Sequence, residues 1–152
     1  MFNYILFKIN GDIMIANISI TKRFEFSGSH CLWQKEWSAD KNKAVFGKSA
    51  NLNGHGHNYV LFVTVRGEID RATGMIINLS ELKTIVNEVI VLFDHKFLNM
   101  DTPFFKERLP TLENIALTLF SLIDEKINSC GAGQLDKIKL QQGNDLSVDV
   151  WR

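Results

Sequence analysis

The sequence predicts an α+β fold in the order strand, strand, helix, helix, strand, strand (ββααββ), a four-stranded antiparallel sheet carrying both helices on one face. Three observations carry this. Period-two alternation from Ile18 to His30 and again from His55 to Val65 marks two long half-buried strands. Apolar residues then recur at helical spacing in two blocks, and two short apolar alternations close the chain around a Gly143-Asn144 turn.

In the first strand the even positions read Ile18, Ile20, Lys22, Phe24, Phe26, Gly28, His30 against polar odd positions, and in the second His55, His57, Tyr59, Leu61, Val63 and Val65 share a face. Both strands thus place histidines on the apolar side. Between them lies an irregular segment, Cys31 to Gly54, longer than a loop in a compact domain ordinarily is, and its length reads as functional. Asn78 with Glu81 resembles a capping box ahead of Leu79, Leu82, Val86, Val89, Ile90 and Phe93. Pro110 and Thr111 open the second helix, with Leu112, Ile115, Ala116, Leu119, Ile123 and Ile127 inward and Gly131 and Gly133 beyond its end. Strands at about Leu135 to Gln142 and Leu146 to Trp151 follow. A sheet of this kind leaves open edges, so self-assembly into a closed barrel is expected.

The 152 residues suffice for one domain, expected over 17–152, after an N-terminal extension over 1–16. That extension lacks the basic start and unbroken apolar run of a signal peptide, Met14 is an alternative start, and no stretch approaches a membrane span. Seventeen basic and seventeen acidic residues cancel, which argues against nucleic acid or a membrane surface as partner and for a small-molecule substrate. Two cysteines, Cys31 and Cys130, make no disulfide framework and fit a cytoplasmic protein.

The chain has four histidines, and His30, His55 and His57 fall on the inward faces of two strands that would be hairpin neighbours. Residues i and i+2 of a strand point the same way, so His55 and His57 present two imidazoles side by side, Gly56 keeps the reverse face slim, and His30 adds a third from across the ladder. Three neutral imidazoles suit zinc and leave a fourth position for water or substrate, the catalytic arrangement. Spacing alone is equally compatible with three core or interface histidines.

The neighbouring words decide between these readings: Phe-Ser-Gly-Ser-His at 26–30, Phe46-Gly47-Lys48, Asn53-Gly54-His55-Gly56-His57-Asn58-Tyr59, Gly67-Glu68-Ile69-Asp70, Ala72-Thr73-Gly74-Met75, Asp94-His95-Lys96 and Thr111-Leu112-Glu113-Asn114. In this order they resemble the 6-pyruvoyl-tetrahydropterin synthase and 6-carboxytetrahydropterin synthase family, nearest to its animal-type synthases. The resemblance implies the tunnelling fold, a hexamer of two stacked trimers with sites between subunits, and zinc on His30, His55 and His57. It further implies a lyase acting on 7,8-dihydroneopterin triphosphate or a related pterin, by triphosphate elimination or side-chain cleavage. Zinc would hold the side-chain hydroxyls, while Asp94 and His95 move protons. Thr111 and Glu113 would sit near the substrate ring, although Glu113 reads equally as a first-turn carboxylate favoured by the helix dipole.

Two positions depart from the family pattern. The family's catalytic cysteine, six residues before the first His of the HGH word, is Ser49 here, and an alcohol is a far weaker acid than a thiol. Cys31 makes a poor substitute because it would point to the opposite face from His30. The family's pterin-anchoring glutamate is Gln142, followed by Gly143; its amide offers one acceptor and one donor where a carboxylate accepts two hydrogen bonds. Trp33 and Trp37 are candidate walls of the long loop. The alternative expectation is therefore a family member with an altered substrate or no catalysis.

Overall fold

The computed structural model describes residues 5–9, 12–131 and 133–152, with side chains from residue 17 onward. Strands β1 (Ile5–Ile9) and β2 (Asp12–Ala16) pair antiparallel as a two-stranded sheet of their own. The rest of the expected extension, residues 1–4 and 10–11, lies outside the described residues.

The main sheet is built from β3 (Ser19–His30), β4 (His55–Arg66), β5 (Lys96–Phe97), β6 (Gln134–Gln142) and β7 (Leu146–Trp151), in the spatial order β5-β3-β4-β6-β7. Its four long strands are antiparallel neighbours as the alternation predicts. The sheet nevertheless has five strands, not four, because β5 runs parallel to β3 over Gly28↔Lys96 and Ser29↔Phe97. Two residues carry no readable period, so only the folded chain reveals that strand.

Helices number four among the described residues, where the sequence predicts two: α1 (Ala39–Phe46), α2 (Leu79–Ile90), α3 (Leu98–Asp101) and α4 (Leu112–Cys130). The segment Cys31 to Gly54 is thus not irregular throughout, since it holds α1 and a 3-10 turn at Gly47–Ala50. α1 escapes a pattern-based reading because its buried residue is Asn42, a polar one. The Asn42 amide receives the Gln34 N–H at 2.7 Å and donates to the Gln34 carbonyl at 2.9 Å, fixing the loop ahead of the helix.

Both long helices cover one face of the sheet. Phe24, Phe26, Tyr59, Leu61, Val63, Val65, Ile138 and Leu140 meet Leu82, Val86 and Val89 of α2 and Ile115, Leu119, Ile123 and Ile127 of α4 in one continuous core. Each fully buried aliphatic or aromatic side chain contributes about 1.5–3 kcal/mol from removal of apolar surface. Leu79, expected inward, is exposed, as the first residue of α2 it precedes the buried stripe. Asn78 caps α2 by accepting the Ser80 N–H at 2.8 Å, and Thr111 caps α4 through the Asn114 N–H at 3.3 Å. α4 stops at Gly131, whose φ of 71° is the left-handed conformation glycine adopts without steric cost.

Candidate metal centre

The β3–β4 register sets His30 directly opposite His55 and Gly28 opposite His57. Since residues 26, 28 and 30 of β3 and 55, 57 and 59 of β4 share the core-facing side, the histidines continue the apolar stripe to the end of the ladder. Ring centroids lie 4.6 Å apart for His30 and His55, 4.7 Å for His55 and His57, and 5.0 Å for His30 and His57. One ring nitrogen from each comes within 4.8 Å of the others.

His30 is buried, and its Nδ1 lies 2.6 Å from the Pro110 carbonyl oxygen. A carbonyl only accepts, so Nδ1 carries the proton and Nε2 is left with a lone pair. That Nε2 faces His55 Nε2 at 3.1 Å, while His55 Nδ1 and His57 Nε2 are buried with no partner among the described residues. Each unpartnered buried polar atom costs about 1–3 kcal/mol. A cation held by one nitrogen of each ring would satisfy His57 Nε2, and the 3.1 Å between His30 Nε2 and His55 Nε2 is close to the roughly 3.3–3.4 Å between two nitrogens on one tetrahedral zinc, each about 2.0–2.1 Å from it. A backbone partner on the far ring nitrogen, such as Pro110, is the usual support of a metal-bound histidine. The donor set fits a metal ion.

Electrostatics favour the neutral ligand form. Burial pushes the His30 imidazolium down to about 4, opposed by the bond to Pro110 and reinforced by His55 and His57. His57 is lowered by burial and then by His55. Gly54, immediately before His55, has φ 76°, and a Cβ there would come 2.8 Å from the Phe97 ring and 3.3 Å from the His30 carbonyl. Glycine at 54 therefore lets β4 begin against β5 and β3. Gly56 is less demanding, because a Cβ would meet only the Gly28 carbonyl at 3.8 Å.

Asp94 and His95 stand between α2 and β5. Asp94 Oδ2 lies 2.9 Å from His95 Nδ1, and its Oδ1 accepts the Ser27 N–H at 2.9 Å. The His95 N–H in turn donates to the Ser27 carbonyl at 2.7 Å, so the pair is locked in register with the strand that ends at His30. The Ser27 N–H first, and His95 after it, hold the Asp94 carboxyl below its ordinary range. His95 has φ 56°, an uncommon conformation for a residue with a Cβ, and its side chain is 84% exposed. A cleft of about 440 Å³ is lined by Ser27, Ser29, Gly56, Asn58 and Lys96 together with His57 of the cluster and His95.

The other expected site residues are less closely gathered. Ser49 lies in the 3-10 turn, and its carbonyl accepts the Leu32 N–H at 2.8 Å, which holds it near the end of β3. Among the described residues no hydrogen bond joins its hydroxyl to His95. Gln142 is half-buried on the same side as Ile138 and Leu140, opposite Tyr59 and thus two residues along β4 from His57. Thr111 follows Pro110 at the start of α4, while Glu113, in the first turn of that helix, is exposed. Trp37 stacks on Phe46 at 5.7 Å under the Lys41 ammonium, within its own loop. Cys31 is buried, and burial raises its thiol pKa. The sequence reading missed the Pro110 carbonyl and the backbone of Ser27, groups that carry no side-chain signal.

A family model described as 6-pyruvoyl tetrahydropterin synthase matches residues 19–152. The chain is 44% identical over 134 residues to the 6-pyruvoyl tetrahydrobiopterin synthase of Pongo abelii, covering 88% of this chain and 90% of that one. It is 31% identical over 133 residues to the dihydroneopterin monophosphate aldolase of Pyrococcus furiosus, covering 86% and 95%. Its fold matches the solved structure of the Caenorhabditis elegans 6-pyruvoyl tetrahydropterin synthase with a TM-score of 0.83 and 32% identity, over 90% of this chain and 96% of that one. On the family match over residues 19–152, the identity to these relatives and the shared fold, the chain belongs to the 6-pyruvoyl tetrahydropterin synthase family of pterin lyases.

Proposed function

We propose that this protein is a zinc-dependent lyase that acts on 7,8-dihydroneopterin triphosphate and eliminates triphosphate. The observation that carries the reading is the cluster of His30, His55 and His57, in which Pro110 fixes the His30 tautomer and two further buried ring nitrogens have no partner among the described residues. Bound zinc supplies Lewis acidity toward the substrate side-chain oxygens, which acidifies the neighbouring carbon-bound protons.

The chain's own residues do the rest. Asp94 Oδ2 accepts the Nδ1–H of His95, which leaves His95 Nε2 as the free base at the cleft. Asp94 remains a carboxylate at neutral pH, so it stabilises the imidazolium formed when Nε2 takes a proton. Expulsion of triphosphate follows loss of that proton. Ser49 holds or orders a water near the end of β3 rather than acting as a strong base. Gln142, with Thr111 and Glu113 at the start of α4, contacts the ring, and Gln142 meets it through one acceptor and one donor. The catalytic domain spans 17–152 behind the extension 1–16, acts in the cytoplasm, and assembles as a hexamer of two stacked trimers. Open sheet edges support the assembly, and among the described residues no helix is long and apolar enough to cross a membrane.

A second reading has support in the aldolase relative: cleavage of a side-chain carbon–carbon bond at the same centre. Incubation of zinc-loaded protein with 7,8-dihydroneopterin triphosphate, resolved by chromatography, separates the two. Free triphosphate supports elimination; a phosphorylated two-carbon aldehyde supports cleavage; neither, with zinc bound, overturns both.

A further inference from the structure

His55 and His57 lie near the start of β4 and are held by their pairing with β3. His30 is the last residue of β3, and β5 accompanies that strand only as far as Ser29. Beyond Ser29 no strand among the described residues pairs with the outer edge of β3. Asn99, on the four-residue helix α3, fills that place. Its Oδ1 accepts the Cys31 N–H at 2.8 Å and its Nδ2 donates to the Cys31 carbonyl at 2.9 Å. A primary amide presents the same donor and acceptor as a peptide group, so Asn99 stands in for the next residue of β5.

α3 is itself anchored. Leu98 is fully buried, the Phe97 N–H donates to Asp101 Oδ2 at 2.8 Å, and the Thr102 hydroxyl donates to the Leu98 carbonyl at 2.9 Å. From Asp94 to Asn99 one continuous segment therefore grips β3 at Ser27, Gly28, Ser29 and Cys31. The same segment carries the Asp94–His95 pair at its other end.

We propose that Asn99 is a positioning residue of the metal centre: its amide locks the backbone directly after His30 and ties that ligand to the segment bearing Asp94 and His95. Freed on this edge, the end of β3 frays and His30 Nε2 no longer waits in place for the ion. The proposal rests on the zinc reading of the histidine cluster, but the two fail separately. Wild-type protein that binds no zinc would sink that reading, while amide exchange at Cys31 still reports the clamp.

The test measures zinc affinity by chelator competition and amide hydrogen exchange by NMR in wild type, Asn99→Ala, and a core variant remote from the site, Ile123→Val. Loss of a group supporting a metal ligand typically weakens binding by about 10–100-fold, and that loss is expected in Asn99→Ala together with faster exchange at Cys31. Ile123→Val is expected to bind zinc as wild type does. Unchanged affinity in Asn99→Ala, or an equal loss in Ile123→Val, would overturn the proposal. If Asn99→Ala does not fold, Asn99→Asp carries the same test, since it keeps the acceptor for the Cys31 N–H and removes the donor to its carbonyl: weaker zinc binding upholds the role and unchanged binding refutes it.

Discussion

His30 Nδ1 donates to the Pro110 carbonyl at 2.6 Å, so the last residue of β3 is bonded to the residue that precedes the cap of α4. Through this bond the position of the helix sets the tautomer and direction of a metal-ligand candidate. Burial, working against this bond, keeps His30 neutral, with a consequence for pH.

In the metal-free protein, unfolded His30 takes up a proton near its ordinary value of 6.5, whereas folded His30 resists protonation until about 4. Between those values the unfolded state binds more protons, so stability is full above 6.5 and falls as pH drops through that window. His57 acts in the same direction. Urea unfolding of the apo protein is expected to give a lower midpoint at pH 5 than at pH 7.5, with about 1 kcal/mol or more lost. His30→Gln is expected to flatten that dependence, and a midpoint independent of pH over this range would contradict the assignment.

Gly54→Ala forces a Cβ into a positive-φ residue against the Phe97 ring. We expect a loss of about 1–3 kcal/mol and weaker metal binding, because His55 is next in the chain. Denaturant titration and zinc competition on the same variant check both, and wild-type values in the two assays would contradict the packing described.

His95 occupies the left-handed region with a largely exposed ring, and asparagine tolerates that conformation well. His95→Asn is therefore expected to keep the unfolding free energy within about 0.5 kcal/mol of wild type while turnover falls about 10²–10⁴-fold. Turnover at the wild-type rate would remove His95 from the proton path.

Ser49→Cys combined with Gln142→Glu restores a titratable thiol and a two-acceptor carboxylate. Triphosphate release is expected to rise by about tenfold or more, since replacing a mismatched donor is worth about 1–3 kcal/mol. A steady-state assay in which both substitutions lower the rate would indicate that serine and glutamine suit a different substrate.

The strands of the main ladder and both long helices were legible in the sequence because each buries a stripe with its own period: Phe24 and Phe26, Tyr59 through Val65, Ile115 through Ile127. The three histidines were legible for the same reason, as members of those stripes. α1 was not, because a polar residue, Asn42, is what it buries. β5 and α3 are too short for any period, and their place depends on Ser27, Gly28 and Ser29, far away in the chain. The groups that hold the site in place, the Pro110 carbonyl, the Ser27 backbone and the Asn99 amide, act through tertiary hydrogen bonds that no local pattern encodes.

The central claim is that the His30, His55 and His57 cluster holds zinc and that turnover depends on it. Triphosphate released from 7,8-dihydroneopterin triphosphate is to be measured with zinc-loaded wild type and His55→Ala, each beside its bound zinc content. The account predicts one zinc per chain and turnover in the wild type, and loss of both in the variant; equal turnover by the two proteins, or release by wild type stripped of metal, would contradict it.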